Sequence, residues 1–552
     1  MSKKTLLFLV LIIVFGAFLR LWRLGSDELI FDEGLYAFRS IGYLDYLESA
    51  EQPTPIQWLA DQQLPFWTRL SFHDHPPLFF LIQHIFFRVL GDSLFIARLP
   101  SALAGIASIF LAFLIGRELF RKSEFSRPPA GPFRDISGSD WAGLLSALIA
   151  GVVFSYVSIS RLSMMEAVLF FFILLNFYFF IRLIDHRKYW LVFGITLGLA
   201  LLTKYISFFL MPAYIFFLVI LRSPLLRSRH LYGAFLVAAL IFAPVVIYNI
   251  YFYKTFGHFD LQFSYLLGQE TPEWRGLSGK TQEPFANLGE NLLLLYSLPF
   301  LALAAAGLVL ALLRPASARS IWLMILAFFF ITLLLIFVGS AIRFVALYAI
   351  PAVFLITFLL MVFLERYHKN WLVFSLFMAF VAYEIFFGAD LLFINPPDYG
   401  VAKLDNYFDS IFKESRPAGF PSHPNQHLNR VIERYALSRL AILEPTGIIY
   451  DDDLATSPRL WIFSRRQYYQ GIPIMPARVF EETLETKGKD FFKGFNLYFV
   501  KTETAAPLHP LRRTAYAEKT EAILRQSQIE PAIVISGANN EPAFKVYRFS
   551  FE

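Results

Sequence analysis

Two carboxylates stand side by side in Ile30-Phe31-Asp32-Glu33-Gly34-Leu35-Tyr36-Ala37, directly after the first long apolar run of the chain. Further along, His73-Asp74-His75-Pro76-Pro77-Leu78 gathers two imidazoles and a carboxylate just before another apolar run. Both groups fall where the chain meets a membrane edge. Acids and imidazoles on one interface can do proton-transfer chemistry on a lipid-borne substrate. The plain alternative is an acidic helix exit that only meets water.

The elements that position these groups follow from composition. The chain has 552 residues, 57% of them hydrophobic, and a mean hydropathy of +0.53. That balance is foreign to soluble domains and usual in polytopic membrane proteins. The 63 Phe and 26 Tyr suit lipid-facing helices with interfacial aromatics. Cysteine is absent, which excludes disulfides and thiolate metal or redox sites. The net charge of +6 does not point to nucleic acid, because the basic residues cluster in short loops between apolar runs. Leu6–Leu24 follows Lys3 and Lys4 but is too long for a signal peptide and lacks a small-residue cleavage site. It reads as a retained helix.

Apolar runs predict about eleven spans. They are Leu6–Leu24, Leu94–Leu119, Trp141–Val157, Met164–Ile181, Tyr189–Leu202, Tyr205–Leu221, Leu231–Tyr251, Leu292–Leu313, Ile321–Val338, Phe344–Leu364 and Trp371–Phe387. Leu78–Leu90 is too short to span and reads as an interfacial helix. With that run outside the count, the basic loops all share the side of Lys3 and Lys4. They include Arg117/Arg121/Lys122/Arg127/Arg134, Arg182/Arg187/Lys188, Arg222/Arg227/Arg229, Arg314/Arg319 and Arg366/Lys369. The positive-inside tendency then predicts a cytoplasmic N-terminus and an outer C-terminal region. The outer face carries the Gly25–His75 loop, Ser160-Arg161, Lys204, the Phe252–Glu290 loop and Gly339–Arg343.

From about Asp390 the long apolar runs stop. Gly447–Tyr450, Leu460–Phe463, Leu497–Val500, Ala532–Ser536 and Phe544–Phe549 read as strands; Leu428–Leu443 and Thr514–Gln526 read as helices. The expected organisation is a membrane domain over residues 1–388 and a soluble α/β domain over 389–552. Within the first, residues 25–93 form an outer loop with juxtamembrane helices, and 252–290 form a lid. Asp451-Asp452-Asp453 reads as a solvated strand-end loop, with cation binding as the alternative.

Several motifs together resemble the GT-C membrane glycosyltransferases, in the protein O-mannosyltransferase and aminoarabinose (lipid A) transferase branch. They are Asp32-Glu33 with Tyr36-Ala37, His75-Pro76-Pro77-Leu78, and Ala97-Arg98-Leu99-Pro100-Ser101-Ala102-Leu103-Ala104-Gly105 ending in Gly116-Arg117-Glu118-Leu119-Phe120. Ser160-Arg161 with Glu166, Gly198-Leu199-Ala200-Leu201-Leu202-Thr203-Lys204-Tyr205, and Arg343 with Tyr348 and Pro351 complete the set. The resemblance covers the membrane part. It implies a GT-C helical fold that moves a sugar from a polyprenyl-phosphate donor to a hydroxyl acceptor, with inversion.

A hydroxyl needs a base and a leaving phosphate needs cations. By resemblance Asp32 is the base, with Glu33 assisting, and Lys204 binds the donor phosphate. Arg343, Tyr348 and Arg161 are further phosphate candidates. Glu166 pairs with Arg161 or holds Lys204. Asp74, His75 and His258 are supporting or acceptor-binding residues. Asp74 with His73 or His258 offers ligands for a divalent metal, but Gly268-Gln269 stands where some relatives carry a metal-binding histidine. No organic cofactor is expected. The partners implied are the polyprenyl-linked sugar, a protein, glycolipid or polysaccharide acceptor, and membrane lipid. The site is expected at the outer face of an inner (plasma) membrane. The alternative from another class is a polyprenyl-linked lipid flippase, against which the near absence of mid-span charges counts.

Overall fold

The computed structural model describes residues 1–45, 64–121, 136–269, 283–314, 321–366, 370–412, 445–470, 472–509 and 514–551. The predicted helix Leu428–Leu443, Glu270 and Trp274 of the expected lid, and Lys122, Arg127, Arg134, Arg319 and Lys369 of the loops expected to be cytoplasmic lie outside them. The chain forms two compact units. One comprises Met1–Leu24, Leu70–Ile82 and Arg98–Asn395; the other Gly25–Arg69, Gln83–Ala97 and Pro396–Glu552.

The first unit is helical. Among the described residues, six helices are long and apolar enough to cross a membrane: Lys3–Leu21, Leu94–Phe120, Met165–Asp185, Arg229–Phe256, Ile342–Glu365 and Trp371–Ile394. Two bent pairs bring the total to as many as eight. Gly138–Val152 and Phe154–Ser160 meet at 58°, and Leu288–Leu295 and Leu298–Leu313 at 108°. The runs read as Trp141–Val157 and Leu292–Leu313 are thus broken rather than straight, each at an extended residue, Val153 and Tyr296. Trp190–Thr203, Tyr205–Ile220 and Trp322–Val338 are helical where the apolar runs predict, but short. Leu78–Leu90 is the expected short helix.

Small residues let helices close up without water to drive them together. A Cβ on Gly194 would come within 2.5 Å of the Ala234 carbonyl, and one on Gly198 within 2.7 Å of Ile241. This Gly-x-x-x-Gly face seats Trp190–Thr203 on Arg229–Phe256. Asn176 adds a polar tie: it donates to the Phe193 carbonyl (2.9 Å) and Thr196 (2.8 Å) and accepts from Tyr214 (2.6 Å). Three helices are thereby tied to one another.

The second unit joins the first loop to the C-terminal region. Its sheet runs β2-β1-β3-β5-β4, with β1 Thr446–Tyr450, β2 Ile474–Pro476, β3 Asn496–Thr502, β4 Pro531–Ser536 and β5 Pro542–Phe549. β1 is parallel to β2 and β3; β5 is antiparallel to β3 and β4. Side chains alternate. Ile449, Leu497, Phe499, Tyr547 and Phe549 pack on the helices Ala477–Lys487 and Tyr516–Gln526. Tyr450 stacks on Phe463, and Tyr498 meets Phe408 of the helix Val401–Phe412, on the other face. Four of the five predicted strands are present. Leu460–Phe463 is instead helical, continuous with Thr456–Arg459 and Arg465–Gln470. A short apolar run buried all round has no period to separate strand from helix.

The Asp451-Asp452-Asp453 loop is built into the fold. Asp451 accepts from the Asp453 amide (2.9 Å) and from Thr502; Asp452 accepts from the Arg478 amide (3.0 Å) and Asp453 from the Thr514 amide (2.9 Å).

Candidate functional site

Trp190–Thr203 ends at Lys204, which is extended (φ −160°, ψ 135°) before the chain re-enters a helical turn at Tyr205–Phe209. This break is what delivers the lysine. Its ammonium is buried and forms an ion pair with Glu166, in the first turn of Met165–Asp185. Arg343 adds a second positive charge acting on the same carboxylate. It comes from the short turn Ile342–Val345. Phe344 lies between the cations, 5.1 Å from the Lys204 ammonium and 5.4 Å from the Arg343 guanidinium, centroid to charge. An aromatic face draws a cation and excludes water. The expected alternatives for Glu166 are resolved in favour of Lys204.

Arg161 goes elsewhere. It is buried, donates to the Leu19 carbonyl at 2.8 Å and covers the Phe393 ring at 4.9 Å. Tyr348 is held by Thr332 at 2.9 Å and packs on Phe328.

The residue after Lys204 carries a second cluster. Tyr205 donates to Asp260 at 2.9 Å, and Asn249 donates to the same oxygen at 3.1 Å. Asp260 is fully buried, and that burial pushes its carboxyl up to about 6 against the opposing hydrogen bonds from the Phe263 amide, Asn249 and Tyr205. The Leu261 amide donates to the His73 carbonyl at 2.8 Å. The loop that carries Asp260 is therefore tied both to the His73-Asp74-His75 segment and to the Lys204 break. Sequence reasoning placed Asp260 in a lid but gave it no part. The N-cap spacing Asp260–Phe263 was the available signal. Asp74 and His75 are 3.0 Å apart, and His258 meets the Phe259 carbonyl at 2.8 Å. Gln269 accepts from the Phe259 amide and Ser264, both at 3.1 Å, closing the described part of the loop.

Asp32 and Glu33 belong to the second unit and are oppositely placed. Asp32 is half-buried at the start of the helix Glu33–Gly42, and its side chain does not cap that helix. Glu33 is fully buried and accepts from the Ile30 amide at 3.0 Å. Gly34 lets the helix approach the backbone of the C-terminal region: its amide donates to the Ser457 hydroxyl at 3.0 Å, and a Cβ there would meet the Ser457 carbonyl at 2.2 Å. Glu28 caps the helix Val401–Phe412 through the Val401 (3.1 Å) and Ala402 (3.3 Å) amides. Its burial pushes the carboxyl up to about 7.

Residues 74–125 and 133–248 match the family model described as dolichyl-phosphate-mannose-protein mannosyltransferase. The match includes Asp74, His75, Arg161, Glu166 and Lys204; Asp32, Glu33, His258, Arg343 and Tyr348 lie outside it. An uncharacterized protein of Aquifex aeolicus (strain VF5) is 27% identical over 244 residues, 43% of this chain and 42% of that one. The chain thus spans less than half the length of the curated relative it matches. Two crystal structures of ArnT from Cupriavidus metallidurans share the fold. The form bound to undecaprenyl phosphate gives a TM-score of 0.51 and the apo form 0.52, each at 14% identity over 99% of this chain and 98% of the other. The chain thus shares its fold with the ArnT structures, and the stretch that carries Glu166 and Lys204 matches the mannosyltransferase family model.

Proposed function

We propose that the protein transfers a sugar from a polyprenyl-phosphate donor to a hydroxyl acceptor, with inversion, at the outer face of the cell's inner membrane. The observation that carries this reading is the break at Lys204, where two cations share one buried carboxylate beside an aromatic face. Donor phosphate is a partner of matching charge, and low-dielectric surroundings strengthen such an interaction. Lys204 and Arg343 hold the phosphate and stabilise it as it leaves. Glu166 holds Lys204 in place. Asp32 takes the acceptor proton as the new bond forms, and Glu33 orients its neighbourhood through the Ile30 amide. Tyr348 and the Asp74-His75 pair line the donor or acceptor path.

The acceptor class is a hydroxyl on protein, glycolipid or polysaccharide. In this reading no organic cofactor takes part and no step needs a divalent metal, so transfer survives chelation. Loss on chelation would instead point to His73 and Asp74, whose ligand atoms lie within 4.8 Å of each other.

The direct test supplies purified protein in vesicles with a panel of polyprenyl-phosphate sugars and a cell-envelope extract. Asp32→Asn is expected to lower transfer by about a hundredfold or more, the scale of a missing general base. Undiminished transfer would remove Asp32 from the mechanism. Movement of the lipid across the bilayer without transfer would replace the enzyme by a flippase.

A further inference from the structure

Glu384 is a fully buried carboxylate within the helix Asn370–Ala389. Ionisable groups inside membrane helices are costly and mark functional positions. None of the roles above uses it.

Its contacts join both broken spans. Ser297, the N-cap of Leu298–Leu313, donates its hydroxyl to Glu384. The Phe154 amide, at the start of Phe154–Ser160, faces the same carboxylate. The residues next in sequence to these two also meet: the Ser155 hydroxyl lies against the Tyr296 phenol. Tyr296 then donates to the carbonyls of Val345 (3.1 Å) and Ala346 (3.0 Å). Those carbonyls belong to the turn that supplies Arg343 and Phe344. Phe154 and Phe387 pack edge to face at 5.5 Å, one turn along from Glu384.

Resting on the proposed function, we infer that Glu384 is a positioning residue for the donor-phosphate site. It locks the two helix breaks together, and Tyr296 transmits that lock to the Arg343 turn. A broken helix leaves amides and carbonyls without their usual partners, and in a membrane these must be satisfied from neighbours. A single carboxylate serving both breaks fixes their relative angle, and with it the guanidinium.

The test titrates undecaprenyl phosphate against the full-length protein in nanodiscs, with the thermal midpoint recorded for every variant. Loss of a buried hydrogen-bond partner predicts that Glu384→Ala weakens binding by about 5- to 100-fold. Glu384→Gln keeps an acceptor for Ser297 and stays within about threefold of wild type. Tyr296→Phe leaves Glu384 in place and weakens binding by about fivefold or more. Adding Glu384→Ala to Arg343→Ala changes nothing further, because both act on one contact. Wild-type binding by both Glu384→Ala and Tyr296→Phe would overturn the inference while leaving the donor reading intact. So would a Gln variant as weak as the Ala variant at an unchanged midpoint, or losses that add to Arg343→Ala. If the wild type binds no polyprenyl phosphate, the donor reading falls and this inference falls with it.

Discussion

The two units bury charge in contrasting ways. In the C-terminal unit, Arg465 and Arg466 are both buried and both meet Asp405, at 2.9 and 2.7 Å. Arg466 also meets Asp409 at 2.6 Å and donates to the Ile462 (2.6 Å) and Asp405 (2.8 Å) carbonyls. Arg465 donates to the Asp92 carbonyl at 2.5 Å and stacks over Trp461. Trp461 donates to Asp405 at 2.9 Å. Here guanidiniums are matched by carboxylates and carbonyls. In the membrane unit Lys204 pairs with Glu166, and the charge of Arg343 acts on the same carboxylate. The first arrangement is balanced within itself and joins helices to the first loop. The second sets two cations and an aromatic ring around one carboxylate. Burial of charge alone therefore does not mark a site.

Breaking the balanced cluster should have the largest effect on stability. Asp405→Ala leaves two buried guanidiniums short of a carboxylate, which costs about 3–5 kcal/mol. A large fall in the thermal midpoint is expected, and an unchanged midpoint would show that the cluster does not hold the unit.

Glu28 sharpens the contrast through pH. Its folded value of about 7 lies above its ordinary 4.5, because burial disfavours the charged form. Its stabilising contribution is therefore fully present below about pH 4.5 and lost as pH rises through about 7. Glu28→Gln should flatten that slope and raise stability at pH 8 by about 1–3 kcal/mol. A wild-type midpoint that rises between pH 5 and 8, followed by the same rise in the variant, would contradict the assignment.

Gly34→Ala forces a methyl into the Ser457 carbonyl, with an expected cost of about 1–3 kcal/mol. Gly289→Ala is the control, since a Cβ there meets nothing within 4 Å. Equal midpoints for the two variants would mean that the first loop yields without cost. The smallest effect is expected at the exposed Arg478–Glu482 pair, where Glu482→Gln should shift stability by less than about 0.5 kcal/mol.

Much of this was legible in the chain. Hydrophobic run lengths located the membrane helices, and the isolated Lys204 between two short runs marked the break that carries it. The short apolar stretches Leu497–Val500 and Phe544–Phe549 announced sheet. What remained hidden depended on partners distant in sequence. Nothing local says that Gly25–Arg69 and Gln83–Ala97 pack with the C-terminal region, because Gly34 and Ser457 meet only in space. Arg161 and Lys204 looked alike as cations at helix ends, yet one serves the Leu19 carbonyl and the other Glu166. The bend at Val153 has no proline to betray it, whereas Pro299 at the start of Leu298–Leu313 was the available signal for the bend at Tyr296.

The central claim is that the Lys204 cluster binds the donor phosphate. The most direct measurement is the affinity of full-length protein in nanodiscs for undecaprenyl phosphate, with Lys204→Met beside the wild type. Loss of a charge-assisted hydrogen bond predicts binding weaker by about 10- to 100-fold, with the wild-type affinity itself falling as salt is raised. A Lys204→Met variant that binds the phosphate as tightly as the wild type would contradict the account.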